Sequence, residues 1–137
     1  MADQPRPRRG LIDTSVVIDL EVLDPLQLPV ELAVSAVTMA ELAAGPHATT
    51  DPAERARRQD RLQRAEAAFD PLPFDGEAAR AYGRVYSAVM AEGRKARGTR
   101  AVDLLIAATA VANGLPVVTR NERDLRGLED LIEIIEV

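Results

Sequence analysis

The amino-acid sequence predicts an α/β domain in which a parallel sheet is covered by helices on both sides. Three observations carry that expectation. Short apolar runs at residues 11–13, 32–37, 115–119 and 131–137 alternate with longer stretches of helical periodicity. The runs are apolar almost throughout, as in strands buried on both faces, rather than alternating apolar with polar. No hairpin dipeptide joins any two of them, so each strand is followed by a crossover.

The elements follow in order. Residues 1–10 are polar and arginine-rich with Pro5 and Pro7, which predicts a flexible arm ahead of a single domain at residues 11–137. Leu11-Ile12 leads a strand to about Asp13, then a helix carries Val16, Val17, Ile18 and Leu20, its N-cap lying among Asp13, Thr14 and Ser15. A proline-containing loop at 24–29 precedes the second strand at 32–37. At Thr38 a helix begins with Met39, Glu41 and Leu42, and Gly45-Pro46 stops it. Asp51-Pro52-Ala53-Glu54 starts another helix, with a capping aspartate, a first-turn proline and an early acid. It runs to about Phe69 and is largely solvated.

Residues 70–74 read as a short strand or extended segment. The stretch 75–92 then spaces Ala78, Tyr82, Val85, Tyr86 and Val89 as a helix does. A basic loop at 93–98 precedes the most apolar helix, 99–113, closed by Asn113-Gly114. A strand at 115–119, a polar loop at 120–127 and a last strand at 131–137 complete the chain.

Composition narrows the chemistry. The 137 residues include no cysteine and one histidine, His47, excluding thiolate metal sites, cysteine nucleophiles and His-rich zinc sites. His47 follows Gly45-Pro46 in a polar stretch and reads as a surface-loop residue. A net charge of -5 argues against a protein that coats nucleic acid by bulk electrostatics. It does not argue against a metal-dependent enzyme for phosphate substrates, because a bound cation reverses the local sign. No apolar run reaches the roughly 18 residues a membrane helix needs, and the start lacks a signal-peptide core, so a cytoplasmic location with no membrane partner is expected.

In a parallel sheet, ligands bind beyond the carboxyl ends of the strands, where strand order reverses. The polar residues expected there are Asp13 after the first strand, Glu41 a turn past the second, and Asn121 and Asp124 after the 115–119 strand. Asp103 lies near the start of the helix that directly precedes that strand. Carboxylates without Cys or His partners suit a hard cation such as Mg²⁺ or Mn²⁺. Each acid also has a structural explanation. Asp13 can cap its helix, and Thr38-Met39-Ala40-Glu41 matches a capping box, as does Thr119-Arg120-Asn121-Glu122. Asp124 sits in a polar turn, where solvated aspartates are common. Asp103 is hardest to explain that way: it interrupts the apolar run from Ala101 to Ala108, where a carboxylate without a partner is costly.

Four blocks in this chain resemble those of PIN-domain ribonucleases of the VapC type, the toxins of VapBC toxin–antitoxin modules. They begin with Leu11-Ile12-Asp13-Thr14-Ser15-Val16-Val17-Ile18-Asp19 and Val37-Thr38-Met39-Ala40-Glu41-Leu42. Asp103-Leu104-Leu105-Ile106-Ala107-Ala108-Thr109-Ala110 and Val118-Thr119-Arg120-Asn121-Glu122-Arg123-Asp124-Leu125 follow in the family order. The resemblance implies a three-layer α/β/α sandwich around a five-stranded parallel sheet of order 3-2-1-4-5. It also implies an acidic pocket of Asp13, Glu41, Asp103 and Asp124, with Asp13 and Asp103 as metal ligands and Asn121 beside them. Asn121 stands where some relatives have aspartate. Thr14, Ser15 and Thr119 can support a ligand carboxylate or the scissile phosphate, though exposed turn hydroxyls also serve as caps.

The implied activity is Mg²⁺-dependent endoribonucleolytic hydrolysis of RNA phosphodiesters by a metal-activated water, with Mn²⁺ as a substitute and Glu41 orienting or deprotonating that water. The implied partners are a VapB-type antitoxin, which presents a basic side chain to the pocket, and a second copy of the chain in a homodimer. Val16, Val17, Leu20 and Leu42 are candidates for partner contact and equally for core. Arg55, Arg57, Arg58, Arg61 and Arg64, or Arg94, Lys95, Arg97 and Arg100, are candidates to grip RNA; the first group can equally be a solvated face paired with Glu54, Asp60 and Glu66. A different class of function, a catalytically silent binding module with the same fold and acids, predicts partner binding without metal-stimulated cleavage. A phosphoacceptor receiver is disfavoured, because Asp13 is followed by Thr14 rather than a second acid and the only lysine is Lys95.

Overall fold

In the computed structural model, which describes residues 6–93 and 99–137, the central sheet has four parallel strands. They are β1 (Arg9–Ile12), β2 (Glu31–Ala33), β3 (Val117–Thr119) and β4 (Ile134–Glu136), in the spatial order β2-β1-β3-β4. Leu11 pairs with both Ala33 and Val117, and Val118 with both Ile12 and Ile135, which places β1 and β3 at the centre. The fifth expected strand is reduced to one parallel bridge, Ser35 to Leu72, along the outer edge of β2. Leu72 donates to the Val34 carbonyl and accepts from the Ala36 amide, both at 2.8 Å. The expected 3-2-1-4-5 order therefore survives with its outermost member shortened. Pro71 and Pro73 are the reason: they flank Leu72 and have no amide hydrogens to extend a ladder.

Among the described residues, five α-helices surround the sheet: α1 (Thr14–Ile18), α2 (Ala36–Ala44), α3 (Pro52–Ala68), α4 (Gly76–Ala91) and α5 (Thr99–Asn113). Strand alternation sorts the core into two layers. Leu11, Ala33 and Val117 pack with Val85 and Val89 of α4 and Leu104, Ile106 and Ala107 of α5. Their neighbours Ile12, Val34 and Val118 pack on the other side with Val16 and Val17 of α1, Leu42 of α2 and Ala65 of α3. Val16, Val17 and Leu42 are thus core residues rather than partner contacts, and Leu20 packs against the same cluster. Ile18, Val22, Leu26 and Val30, in and after α1, are exposed.

Several boundaries differ from the sequence expectation. β1 begins at Arg9, inside the segment expected to be a flexible arm, and Arg6 donates from Nε to the Leu28 carbonyl at 2.9 Å. Gly10 lies so close to Pro29 that a Cβ would meet its ring at 2.7 Å, a close approach that suits glycine. β2 is shorter than expected because Ser35, not Thr38, caps α2, its Oγ accepting from the Thr38 amide at 3.1 Å. The cap expected at Asp51 is present, accepting from the Glu54 amide, and Asp75 caps the next helix by accepting from the Ala78 amide. α5 spans the expected residues and ends at Gly114, whose φ of +63° a side chain would strain. The expected basic loop lies largely outside the described residues, and with it any role for Arg94, Lys95 and Arg97. His47 is exposed in the single 3-10 turn after α2.

Candidate active site

The chain enters the sheet at its middle, builds outward through β2 to Leu72, then returns to add β3 and β4 on the other side of β1. Strand order thus reverses between β1 and β3, and the ends of these strands open the crevice where ligands bind. Asp13 follows β1 directly and its amide donates to the Val118 carbonyl at 3.0 Å, tying it to the end of β3.

Asp13 caps α1 as well as facing this edge. Its Oδ1 accepts from the Ser15 hydroxyl at 2.6 Å and the Val16 amide at 3.2 Å, leaving Oδ2 uncommitted among the described residues. Ser15 Oγ in turn accepts from the Arg120 amide at 3.1 Å, joining the loop after β1 to the loop after β3. Glu41 lies in the second turn of α2, and its Oε1 accepts from the Thr14 hydroxyl at 2.5 Å. The Thr14 and buried Thr38 hydroxyls are 3.1 Å apart. Each hydroxyl has one proton, so with Thr14 donating to Glu41, Thr38 donates to Thr14. The capping box expected at Thr38 and Glu41 is therefore replaced: Ser35 takes the cap, and Thr38 supports the site through Thr14.

Asp103 projects from α5 in a different setting. Burial and the nearby Asp124, Asp13 and Glu41 push its carboxyl pKa up to about 7, with Arg100 opposing the shift. The other three expected acids are therefore near enough for their charge to be felt at Asp103. Among the described residues no three of them gather closely enough to cage an ion by themselves. The donor chemistry nonetheless suits Mg²⁺, which takes one or two carboxylates and fills its octahedron with water and phosphate oxygens. Arg100 donates to the Asp124 carbonyl at 3.1 Å, so it pins the turn after β3 to α5.

The supporting residues divide. Thr14 and Ser15 hold the acids, whereas Asn121 and Thr119 shape the turn. Asn121 is exposed and its Oδ1 accepts from the Arg123 amide, while Thr119 Oγ1 accepts from the Asn121 amide, both at 3.2 Å. Sequence reasoning missed two contributors. Thr38 was hidden by its apparent cap role, although a hydroxyl one turn before Glu41 is a usable signal. Arg100, grouped with the candidate RNA-gripping cations, also offsets Asp103.

The PIN domain family matches residues 11–130. The chain belongs to the PIN-domain family and, within it, to the VapC ribonucleases. It is 37% identical over 136 residues to Ribonuclease VapC5 of Mycobacterium tuberculosis, covering 96% of this chain and 97% of the relative. Ribonuclease VapC4 of the same organism is 35% identical over 133 residues, with 95% and 98% covered. The crystal structure of VapBC-5, a member of the VapBC family of toxin–antitoxin systems from that organism, matches with a TM-score of 0.83 and 37% identity over 96% of this chain and 100% of that chain.

Proposed function

We propose that this chain is the toxin of a type II toxin–antitoxin module, a cytoplasmic endoribonuclease that uses Mg²⁺ or, in its place, Mn²⁺. The observation that carries the proposal is Asp103, a half-buried carboxylate near the switch point whose proton affinity is raised by burial and then by the negative charges of Asp124, Asp13 and Glu41. Negative charge concentrated in this way favours a divalent cation, and the named relatives are ribonucleases. No helix among the described residues is long and apolar enough to cross a membrane, which is compatible with that location.

Asp13 and Asp103 would hold the cation, with Asp124 adding charge beside them. When bound, the cation neutralises the scissile phosphate and makes a water more acidic. Glu41, fixed by Thr14, orients the attacking water and accepts its proton. Ser15 keeps Asp13 Oδ1 occupied, so the carboxylate presents its other oxygen. The water adds in line to phosphorus, the bond to one ribose oxygen breaks, and that oxygen takes up a proton from solvent as it leaves. A VapB-type antitoxin restrains the enzyme by placing a basic side chain among the acids, where it competes with the cation through charge complementarity. The toxin itself pairs with a second copy in this assembly.

The test is cleavage of a mixed structured-RNA pool by purified, antitoxin-free protein in Mg²⁺, in Mn²⁺ and in EDTA. Discrete products that require metal are expected, and Asp103→Asn should abolish them. Folded, metal-binding protein that cuts nothing would favour the silent binding module. Cleavage that survives both EDTA and the substitution would place the active site elsewhere.

A further inference from the structure

The α3 helix carries five arginines, and four of them are spoken for. Arg55 donates to the Pro46 and Thr49 carbonyls, each at 3.0 Å. Arg57 and Arg58 share Glu54, holding its carboxyl below the usual range, and Arg58 also donates to the Gly45 carbonyl at 2.9 Å. Arg64 pairs with Glu21 and with Asp60. Arg61 has no hydrogen-bond or ion-pair partner among the described residues, although its side chain is half-buried.

Its position is as telling as its freedom. Arg61 lines a cavity of about 350 Å³ together with Thr14, Glu41, Leu42 and Arg58. That cavity opens directly beside the Thr14–Glu41 pair of the candidate active site. Arg61 also borders a second cavity, of about 400 Å³, shared with Val17, Ala65 and Phe69. An RNA strand must approach a site that is acidic, on a chain whose net charge is -5. An arginine already neutralised by a carboxylate offers little to that strand; one whose charge is uncommitted offers most.

We infer that Arg61 binds a backbone phosphate of the RNA strand running from the acid cluster into the cavity beside Glu41, an inference that rests on the proposed ribonuclease function. Arg58 shapes the same cavity but is fastened at both ends, so it acts as wall rather than as grip. A single added phosphate contact on single-stranded RNA steepens the salt dependence of affinity by about 0.7 in log–log slope.

The experiment compares Arg61→Gln, which keeps much of the packing stem, and Arg61→Lys, which keeps the charge, with Arg57→Gln, whose parent is already paired. Cleavage of a short single-stranded RNA in Mg²⁺ gives kcat and KM. Fluorescence anisotropy of the same RNA, labelled with fluorescein and bound to these variants in an Asp103→Asn background, gives affinity across a salt series. Arg61→Gln should raise KM about three- to tenfold with kcat within twofold, and lower the salt slope by about 0.7. Arg61→Lys should restore the slope, and Arg57→Gln should change it by less than half as much. If the wild-type chain cuts RNA while Arg61→Gln leaves KM, affinity and slope unchanged, Arg61 makes no such contact and the ribonuclease stands. Equal effects from Arg57→Gln and Arg61→Gln would replace the contact with a diffuse field. If no variant binds RNA and the wild type cuts none, the proposed function falls and Arg61's role with it.

Discussion

The two halves of the acidic site are built differently. On the α1–α2 side, Asp13 and Glu41 are gripped by hydroxyls: Ser15 holds one, and Thr14, backed by Thr38, holds the other. On the α5 side, Asp103 has no hydrogen-bond partner among the described residues, and its carboxyl is pushed up to about 7 by burial and by Asp124, Asp13 and Glu41. The first half is organised before anything binds. The second holds an electrostatic conflict that Arg100 only partly offsets, and that a cation or a basic partner side chain would resolve under the proposed function. A site so divided can be rigid where water must be oriented and responsive where positive charge must be captured.

The most severe way to break this contrast is Asp103→Asn. Loss of the carboxylate should reduce metal-dependent cleavage by at least about 100-fold, measured as kcat/KM on RNA. The same change should stabilise the metal-free fold at pH 8. Asp103 binds its proton more tightly when folded, at about 7, than at its ordinary value of 3.8. Between those values the folded state holds the extra proton, so stability falls as pH rises from about 4 to about 7 and then levels. A shift of that size corresponds to about 4 kcal/mol, but Asp103 is only partly buried and solvent screening reduces this to about 1–2 kcal/mol. Urea unfolding in EDTA should therefore show Asp103→Asn more stable at pH 8 and no better than wild type at pH 4. A variant equally affected at both pH values would remove the electrostatic conflict from the account.

This contrast was only half legible in the sequence. Asp103 stood out because a carboxylate within Ala101 to Ala108 violates the apolar pattern around it, and that violation marks the strained half of the site. The hydroxyl-held half left no comparable trace. The Thr14–Glu41 bond joins residues 27 apart, and no local pattern encodes it. Thr38 was misread for a related reason: Ser35 and Thr38 both have cap chemistry, and only the backbone's turn at Ser35 decides between them. The same holds for the sheet. Short apolar runs marked β1 and β3, whereas the shrinkage of the fifth strand to a bridge depended on Pro71 and Pro73 meeting the outer edge of β2. Residue type exposes what is costly; partners distant in sequence decide what relieves the cost.

An intermediate effect is expected at Thr14, which tests whether the organised half depends on its hydroxyl. Thr14→Val keeps the branched shape and removes the donor to Glu41, leaving the Thr38 hydroxyl without its acceptor as well. The fold should lose about 1–2 kcal/mol and cleavage should drop about tenfold, mostly in kcat. Thr14→Ser should recover both. A Thr14→Val enzyme with wild-type kcat would show that Glu41 needs no fixed orientation.

The smallest effect should come from Ser15→Ala. Ser15 donates to Asp13 Oδ1 and accepts from the Arg120 amide, but Asp13 retains the Val16 amide and its capping conformation when the hydroxyl is gone. The cost to stability should be about 1 kcal/mol, and the Mg²⁺ concentration for half-maximal cleavage should rise about threefold, at the mild end for loss of a group that supports a ligand. A saturating dose of Mg²⁺ should then restore the wild-type rate, because in the proposed mechanism Ser15 orients the ligand Asp13 without touching the reacting atoms. If kcat stays depressed at saturating Mg²⁺, the link between the loops after β1 and β3 matters to the chemistry itself, and the two halves are less independent than their hydrogen bonding suggests.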